Sequence, residues 1–550
     1  MLVVHTNQSN SFILLNSMKK YLIALAGLFL LLAFTNRNGN TGIVSANARA
    51  ANNNDSSISL LTIDLNKEYQ TIHSFGASDC WTAKFAGKWK DENKKNAIAD
   101  LLFSTAVAAD GSPKGIGLSL WRFNIGAGSY EQGAASGIAD EYRREECFLG
   151  TDAKYNWNKE AGAQWFLGAA KKRGVKYLLG FTNSAPVQFT QNNLASGLAN
   201  NNYSCREDRY DDFAGFLVEV CKHFTLAGTP LDYVSPVNEP QWKWGEHADQ
   251  EGSGATNEQI AKLVKILGSK MHDAGIATMI TVAEAAQINF LYSPNGDHAG
   301  NQLQEFFDPA SANYLGNIAN TEKMVSYHSY FSTCPDAMLV KFRESVNEKR
   351  KSVDPAVQLW QSEFGVLGNI CGNLNGGPRN TGIDYGLYVA KVIHADVAIA
   401  GVSSFQWWLA MNPYDYSDGL VYINAPDGSI NPAKSKDDGI VSGSKQLWCM
   451  GNFSRFVRPG MIRVDAAFNG TKDCLVSAYK NTAAKQLVTV IINNSQHEVA
   501  MRLQTSRQLN KNFLDSYITS AAQNMQKGNA DADRIMIPPM SVTTLVSNYK

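Results

Sequence analysis

The sequence predicts an α/β fold, a (β/α)8 TIM barrel carrying a small antiparallel β-sandwich. Three observations predict it. Eight short β-prone runs alternate with helix-like stretches across the middle of the chain. After about residue 445 the texture changes to short strands split by polar turns. One further strand, 58–70, precedes the first barrel run and is free to pair with those C-terminal strands. Strand and helix in strict alternation give right-handed βαβ units, and eight of them close a barrel. Short strands punctuated by turns read as a sandwich.

The eight runs are HSFGAS (73–78), LSLWRFNIG (118–126), YLLGFTNSAP (177–186), DYVSPVNEP (232–240), ATMITVAEA (277–285), MVSYHSYF (324–331), LWQSEFG (359–365) and VSSFQWWLA (402–410). They lack clean in/out alternation, as expected when helices cover one face and a packed interior the other. Residues 158–174 predict a helix with Ala161, Trp165, Leu167 and Ala169 near one face, ending in basic residues and Gly that suit the dipole and C-cap. Residues 209–228 carry Phe213, Phe216, Leu217, Val220 and Phe224 at helical spacing, and 257–275 repeat the pattern with Ile260, Leu263, Val264 and Leu267. A doubly wound open sheet is the other reading. It lacks a G-x-G-x-x-G after an early strand and a phosphate-binding G-x-x-x-x-G-K-[ST]. The expected division is a leader over 1–50, the sandwich strand over 58–70, the barrel over 71–445 and the sandwich over 446–550.

Composition narrows the function. Lysine plus arginine equals aspartate plus glutamate, so net charge is zero and nothing points to nucleic acid or an anionic membrane surface. Met18-Lys19-Lys20 precedes the apolar run YLIALAGLFLLLAF (21–34), which reads as a secretory signal with Met18 as the start. The run is short for a spanning helix, which needs about 20 residues. The small residues of SANARA (45–50) offer a cleavage site, so export without stable membrane insertion is expected. Eight cysteines occur without a C-x-x-C, and no Cys/His cluster has zinc spacing. This leaves room for a bridge or two but no disulfide scaffold, and implies no metal or organic cofactor.

In such a barrel the chemistry lies at the C-terminal ends of the strands. Those ends carry Asp79 and Trp81; Arg122 and Asn124; Asn238 and Glu239; Tyr327, His328 and Tyr330; Glu363; and Gln406, Trp407 and Trp408. Glu239 and Glu363 belong to the fourth and seventh strands and converge from nearly opposite sides. Two carboxylates about 5–5.5 Å apart suit double displacement at an anomeric carbon, one attacking and one exchanging a proton. Tyr330 and Arg122 are placed to keep the attacking acid ionised. Asn238 is placed to bond a sugar 2-hydroxyl, and Trp rings offer flat faces to a pyranose. Each motif alone has a plainer reading, since a strand-end Glu caps helices and a Trp pair packs cores. Their joint placement at strand ends is what points to catalysis.

At these residues the sequence resembles glycoside hydrolase family 30 of the retaining β-glycosidases. The likeness rests on VNEPQW, YHSY, WQSEFG, SSFQWWLAMN and LWCMGNFSRFVRPGMIRV, and spans roughly 58–550. The resemblance implies Glu239 as acid/base and Glu363 as nucleophile, with Arg122, Asn238, His328, Tyr330 and Trp407 lining the sugar subsite. SFGASDCW, RFNIG and NEPQW are most similar to the branch with endo-β-1,6-galactanases, which implies a polysaccharide partner. A β-1,6-glucanase or xylanase of the same family is the alternative, as is a carbohydrate-binding barrel without turnover. One departure is expected to bear on sugar identity. In SAPVQFTQN (184–192), where relatives commonly carry an aromatic, this chain has Gln188 beside Phe189.

Overall fold

The computed structural model describes residues 58–200, 202–245, 249–296, 298–367 and 374–550. The expected signal and leader lie outside the described residues. Among the described residues no helix is long and apolar enough to cross a membrane.

Strand β1 (Ser59–Thr71) is followed by the eight barrel strands. These are β2 (Ser74–Ser78), β3 (Leu120–Asn124), β4 (Tyr177–Phe181), β5 (Tyr233–Ser235), β6 (Met279–Ile280), β7 (Met324–His328), β8 (Gln358–Glu363) and β9 (Ser404–Trp407). Each falls inside one of the eight runs marked in the sequence or within a residue of it. All pairings are parallel, in the order β6-β5-β4-β3-β2-β9-β8-β7. Beyond β6 the chain bonds to β7, with Ser326 N–H donating to Val282 O at 3.0 Å and Ala285 N–H to Ser326 O at 3.2 Å.

The absence of alternation has the expected cause. Leu120, Leu179, Phe181, Met324 and Trp360 pack inside the barrel. Trp121, Phe123, Leu178 and Leu359 face the helices, so both faces are apolar. Helix Tyr210–Leu226 buries all five residues read from its periodicity, and Asn257–Asp273 all four, behind a capping box formed by Thr256 and Gln259. Helix Ala161–Lys172 is rotated from the expected face. It buries Gly162, Ala163, Phe166, Leu167, Ala169 and Ala170, while Trp165 lies at its edge under the Lys95 ammonium, 4.8 Å from the ring centroid.

The C-terminal strands form one continuous nine-stranded sheet with β1. Strand β1 pairs antiparallel with Ile462–Phe468, as expected of an antiparallel sandwich, but parallel with Val499–Thr505. The outermost strands, Gln526–Asp531 and Ile535–Ile537, are consecutive in the chain, so the sheet curls on itself around Leu61, Ile63, Ile491 and Leu545. Helix Lys445–Ser454 fastens this sheet to the barrel. Asn452 donates to Tyr517 O and Thr544 Oγ1, both at 3.0 Å, and Ser454 donates to Ile116 O at 2.6 Å. Cys334 is disulfide-bonded, and the other six described cysteines are free.

Candidate active site

Two left-handed turns and one bulge bring the acids together. Glu239 follows β5 with φ of 45°, an unusual conformation for a residue with a Cβ. Three bonds hold that turn. Glu239 N–H donates to Glu284 O at 2.9 Å, and the Glu239 carbonyl accepts from Trp242 N at 3.0 Å and Trp244 Nε1 at 3.1 Å. Glu284, just past β6, has φ of 43°. On β8 the two-residue period would turn Glu363 away from the interior, since Trp360 points in. The register slips by one between Tyr327–Gln361 and His328–Glu363, and this bulge re-aims Glu363 inward beside His328.

Arg122 lies at the centre, fully buried, its guanidinium 3.7 Å from the Phe181 ring centroid. It donates through one terminal nitrogen to Glu363 Oε2, and through the other to Asn238 Oδ1 at 3.0 Å and Glu284 Oε2 at 2.8 Å. His328 is also fully buried and bridges Glu239 Oε1 at 2.7 Å and Glu284 Oε2 at 3.2 Å. Tyr330 donates its hydroxyl to Glu363 Oε1 at 3.1 Å. One oxygen each of Glu239 and Glu363 and a ring nitrogen of His328 lie within 4.8 Å of one another.

Surroundings separate the acids electrostatically. Burial alone would raise Glu284, but Arg122, His328 and Ser326 outweigh it and bring the carboxyl down to about 2. For Glu239 burial dominates, joined by the neighbouring Glu363 charge, and its pKa is raised despite His328. Burial opposes a charge on His328, but Glu363, Glu239 and Glu284 together lift it to about 10. This favours the protonated ring, which bridges the ionised Glu284 and the proton-holding Glu239. Burial holds the Tyr330 phenol well above its usual range, leaving it a donor.

The cleft above this network holds about 330 Å³ and is lined by Arg143, Trp242, Trp244, Phe331 and Trp408 as well as the two acids. Residues 58–422 match the sequence model of O-Glycosyl hydrolase family 30. The chain belongs to that family. It is similar to glucuronoxylanase XynC of Bacillus subtilis (strain 168), 30% identical over 167 residues, which are 30% of this chain and 34% of that one. It is also similar to an endo-beta-1,6-galactanase of Hypocrea rufa, 24% identical over 243 residues, 41% of this chain and 49% of that one. The matches thus span about half or less of these relatives' length. A solved structure of a conserved exported protein from Bacteroides fragilis superposes with a TM-score of 0.84 at 32% identity, covering 88% of this chain and 100% of that one.

Within this family 30 site, Arg122, Asn238, His328, Tyr330 and the two acids form one bonded cluster. Three other expected residues sit one layer back. Asp79 Oδ1 accepts from Asn124 N at 2.9 Å, while Asp79 Oδ2 and both amide atoms of Asn124 have no protein partner. They line a separate buried cavity of about 10 Å³ beside Lys84, Glu145 and Glu160. Trp81 lines that cavity too, and packs edge-on against Trp408 at 5.1 Å. Trp407 lies wholly in the barrel wall, donating to Asp418 O at 2.6 Å, and its neighbour Trp408 is the one that faces the cleft. Gln188 does not line the cleft either. It bonds Leu149 O at 3.3 Å in an outer groove bordered by helix Tyr210–Leu226.

The sequence reading missed Glu284, although the rule that flagged Glu239, an acid where a barrel strand stops, applies to it equally. It also missed Trp242 and Phe331. Their rings stack at 6.1 Å and 8°, each about half exposed, at the cleft rim.

Proposed function

We propose that this family 30 enzyme is a retaining glycosidase acting on a β-linked polysaccharide. The observation that carries the reading is the pair Glu239 and Glu363, close enough for direct attack and oppositely surrounded. Arg122 and Tyr330 aim donors at both oxygens of Glu363, which suits a carboxylate that attacks. Glu239 has its pKa raised, which suits a proton donor.

In the first step a Glu363 oxygen bonds the anomeric carbon as the glycosidic C–O bond breaks, and Glu239 passes its proton to the leaving oxygen. In the second, the Glu239 carboxylate takes a proton from water, the water oxygen attacks the same carbon, and Glu363 leaves as carboxylate. Two inversions restore the β configuration. Asn238 Oδ1 accepts from Arg122, which leaves Nδ2 as the donor for the sugar 2-hydroxyl. The rings of Trp242 and Phe331 follow the acid and β7 and suit the leaving sugar.

β-1,6-Galactan is the first substrate, supported by the similarity to the Hypocrea rufa galactanase, with β-1,6-glucan the alternative. The XynC similarity favours a second reading, an acidic xylan, with Arg143 in the cleft to meet its carboxylate although Asp249 lines the same cleft. The charged start and apolar run 18–34, together with the similar exported protein, support action outside the cytoplasm. Proton NMR in the first minutes of hydrolysis tests the stereochemistry, with β product expected; an initial α-anomer overturns double displacement. Parallel digestion of de-arabinosylated arabinogalactan, β-1,6-glucan and glucuronoxylan ranks the substrates.

A further inference from the structure

The end of the barrel opposite the catalytic cleft carries a larger concavity of about 810 Å³. It forms where β1 runs out and where β2, β4, β8 and β9 begin. Gln358, first in β8, lines it, while Glu363, last in β8, lines the catalytic cleft. At about 3.3 Å per residue the two lie roughly 17 Å apart.

Its charge is one-sided. Lys176, Arg350, Lys351 and Arg463 line it, against the single acid Glu68, which is already paired with Lys480. The nearby acids Asp354 and Asp465 are tied to Lys323 and Lys67. The four cations make their direct bonds and ring contacts to neutral groups, with Arg350 also attracted to Asp354 and Arg463 to Asp465. Arg350 donates to Asn347 Oδ1 at 3.0 Å and to backbone carbonyls. Arg463 Nε donates to Gln70 Oε1 at 3.0 Å with its guanidinium 3.7 Å from the Tyr69 ring centroid. Lys176 lies 4.8 Å from the Tyr177 ring centroid, and Lys351 is exposed. His73, stacked on Tyr177 at 4.0 Å, is held neutral, its pKa lowered to about 3 by burial and by Lys176. In a chain of zero net charge, the cations lining this concavity outnumber its acids, and the excess focuses a positive potential there.

Shape and rings narrow the ligand. A single inorganic anion fills a small part of this volume, and a concave wall does not fit a lipid surface. Tyr69 keeps 39% of its surface exposed, and a sugar ring laid on such a face places a carboxylate beside the adjoining cation. We infer that this concavity is a non-catalytic site for a uronate-bearing oligosaccharide, with carboxylates met by Lys176, Lys351 and Arg463 and a sugar face by Tyr69.

The test titrates the full chain with an oligogalacturonide, with a neutral galacto-oligosaccharide of equal length, and with inorganic sulfate. The oligogalacturonide is expected to bind, more weakly as salt rises, and the double substitution Lys176→Glu, Lys351→Glu to weaken it by about tenfold or more. Both lysines are exposed, and an unchanged melting temperature shows that the double variant is folded. Amine acylation mapped by mass spectrometry is expected to show both lysines protected by the ligand. No binding, binding undiminished in the folded double variant, or unprotected lysines overturns the site. Sulfate or anionic vesicles binding as tightly as the oligogalacturonide overturns saccharide recognition.

Discussion

The two ends of the barrel handle charge in opposite ways. At the mouth Arg122 and His328 supply two positive charges, and Glu284 and Glu363 two negative ones. With Glu239 protonated the cluster is neutral, and its charged members hold one another in fixed bonds. At the base four cations bond to or lie over carbonyls, amides and rings, and among the described residues none forms a direct ion pair with a carboxylate. A compensated buried network is preorganised, because its dipoles and charges need not move when the reaction begins. An uncompensated exposed one is open to an anion from outside. Substitutions should therefore be costly at the mouth and mild at the base.

The largest effect is expected from Glu363→Gln. The amide fills the same space but cannot attack, so kcat on polysaccharide should fall by about 10⁴-fold or more while substrate still binds. Residual activity close to wild type would break the assignment of Glu363 as nucleophile. Glu239→Ala should lose about 10²–10⁴-fold on polysaccharide but much less on aryl glycosides whose leaving groups need no proton. Azide, small enough to enter the vacated space, should restore turnover of those aryl glycosides as a β-glycosyl azide. Its absence would move the acid role to another residue.

Glu284→Gln tests whether compensation itself matters, since Glu284 is not assigned a bond-breaking role. Arg122 and His328 would each lose an anion and shift against Glu363 and Glu239. We expect about a hundredfold loss of kcat and about 3–5 kcal/mol of stability, the range for breaking a buried pair. The pH dependence carries a sign. Glu284 is lowered to about 2 in the fold from its ordinary 4.5, so its contribution is complete above 4.5 and lost as pH falls through 2. His328 is raised to about 10 from 6.5, so its contribution is complete below 6.5 and lost as pH rises through 10. Urea midpoints of the wild type should accordingly plateau between pH 4.5 and 6.5. In Glu284→Gln the acid-side decline should shrink, and the alkaline-side decline, which still begins near 6.5, should be smaller and end at lower pH. Unaltered profiles would show that the network does not govern stability.

What was legible in the sequence divides along the same physical lines. The eight barrel strands, the C-terminal sheet and its N-terminal strand followed from runs of apolar residues, because burial on both faces writes itself into composition. Glu239, Arg122, Asn238, His328, Tyr330 and Glu363, singled out by asking what each strand end carries, lie together in one bonded cluster. Local conformation was not legible. No pattern in LWQSEFG marks the bulge that turns Glu363 inward, and none in SSFQWWLAMN separates the buried Trp407 from the cleft-facing Trp408. Glu284 was passed over because a single acid in a small-residue run resembles an ordinary turn. The basic concavity draws on 68–73, 176, 350–351 and 463, and residues that far apart show no charge run along the chain.

The smallest predicted effect belongs to that concavity. Lys351 is exposed at the end of helix Asp336–Val353 and stands among like charges without a carboxylate partner. Lys351→Gln removes one unit of repulsion while keeping a polar side chain of good helix propensity, so nothing buried is lost. It also removes a cation from the last turn of the helix, where the dipole favours one, and this opposes the gain. Relief of repulsion from three neighbouring cations should prevail at low ionic strength and raise stability by up to about 0.5 kcal/mol. Salt should abolish the difference, because exposed charges are screened within about 10 Å at 0.1 M. Urea midpoints of wild type and variant at low and high salt measure it. A clear destabilisation that persists in salt would mean Lys351 is held by packing rather than merely facing other cations, and the contrast between the two ends of the barrel would fail at that residue.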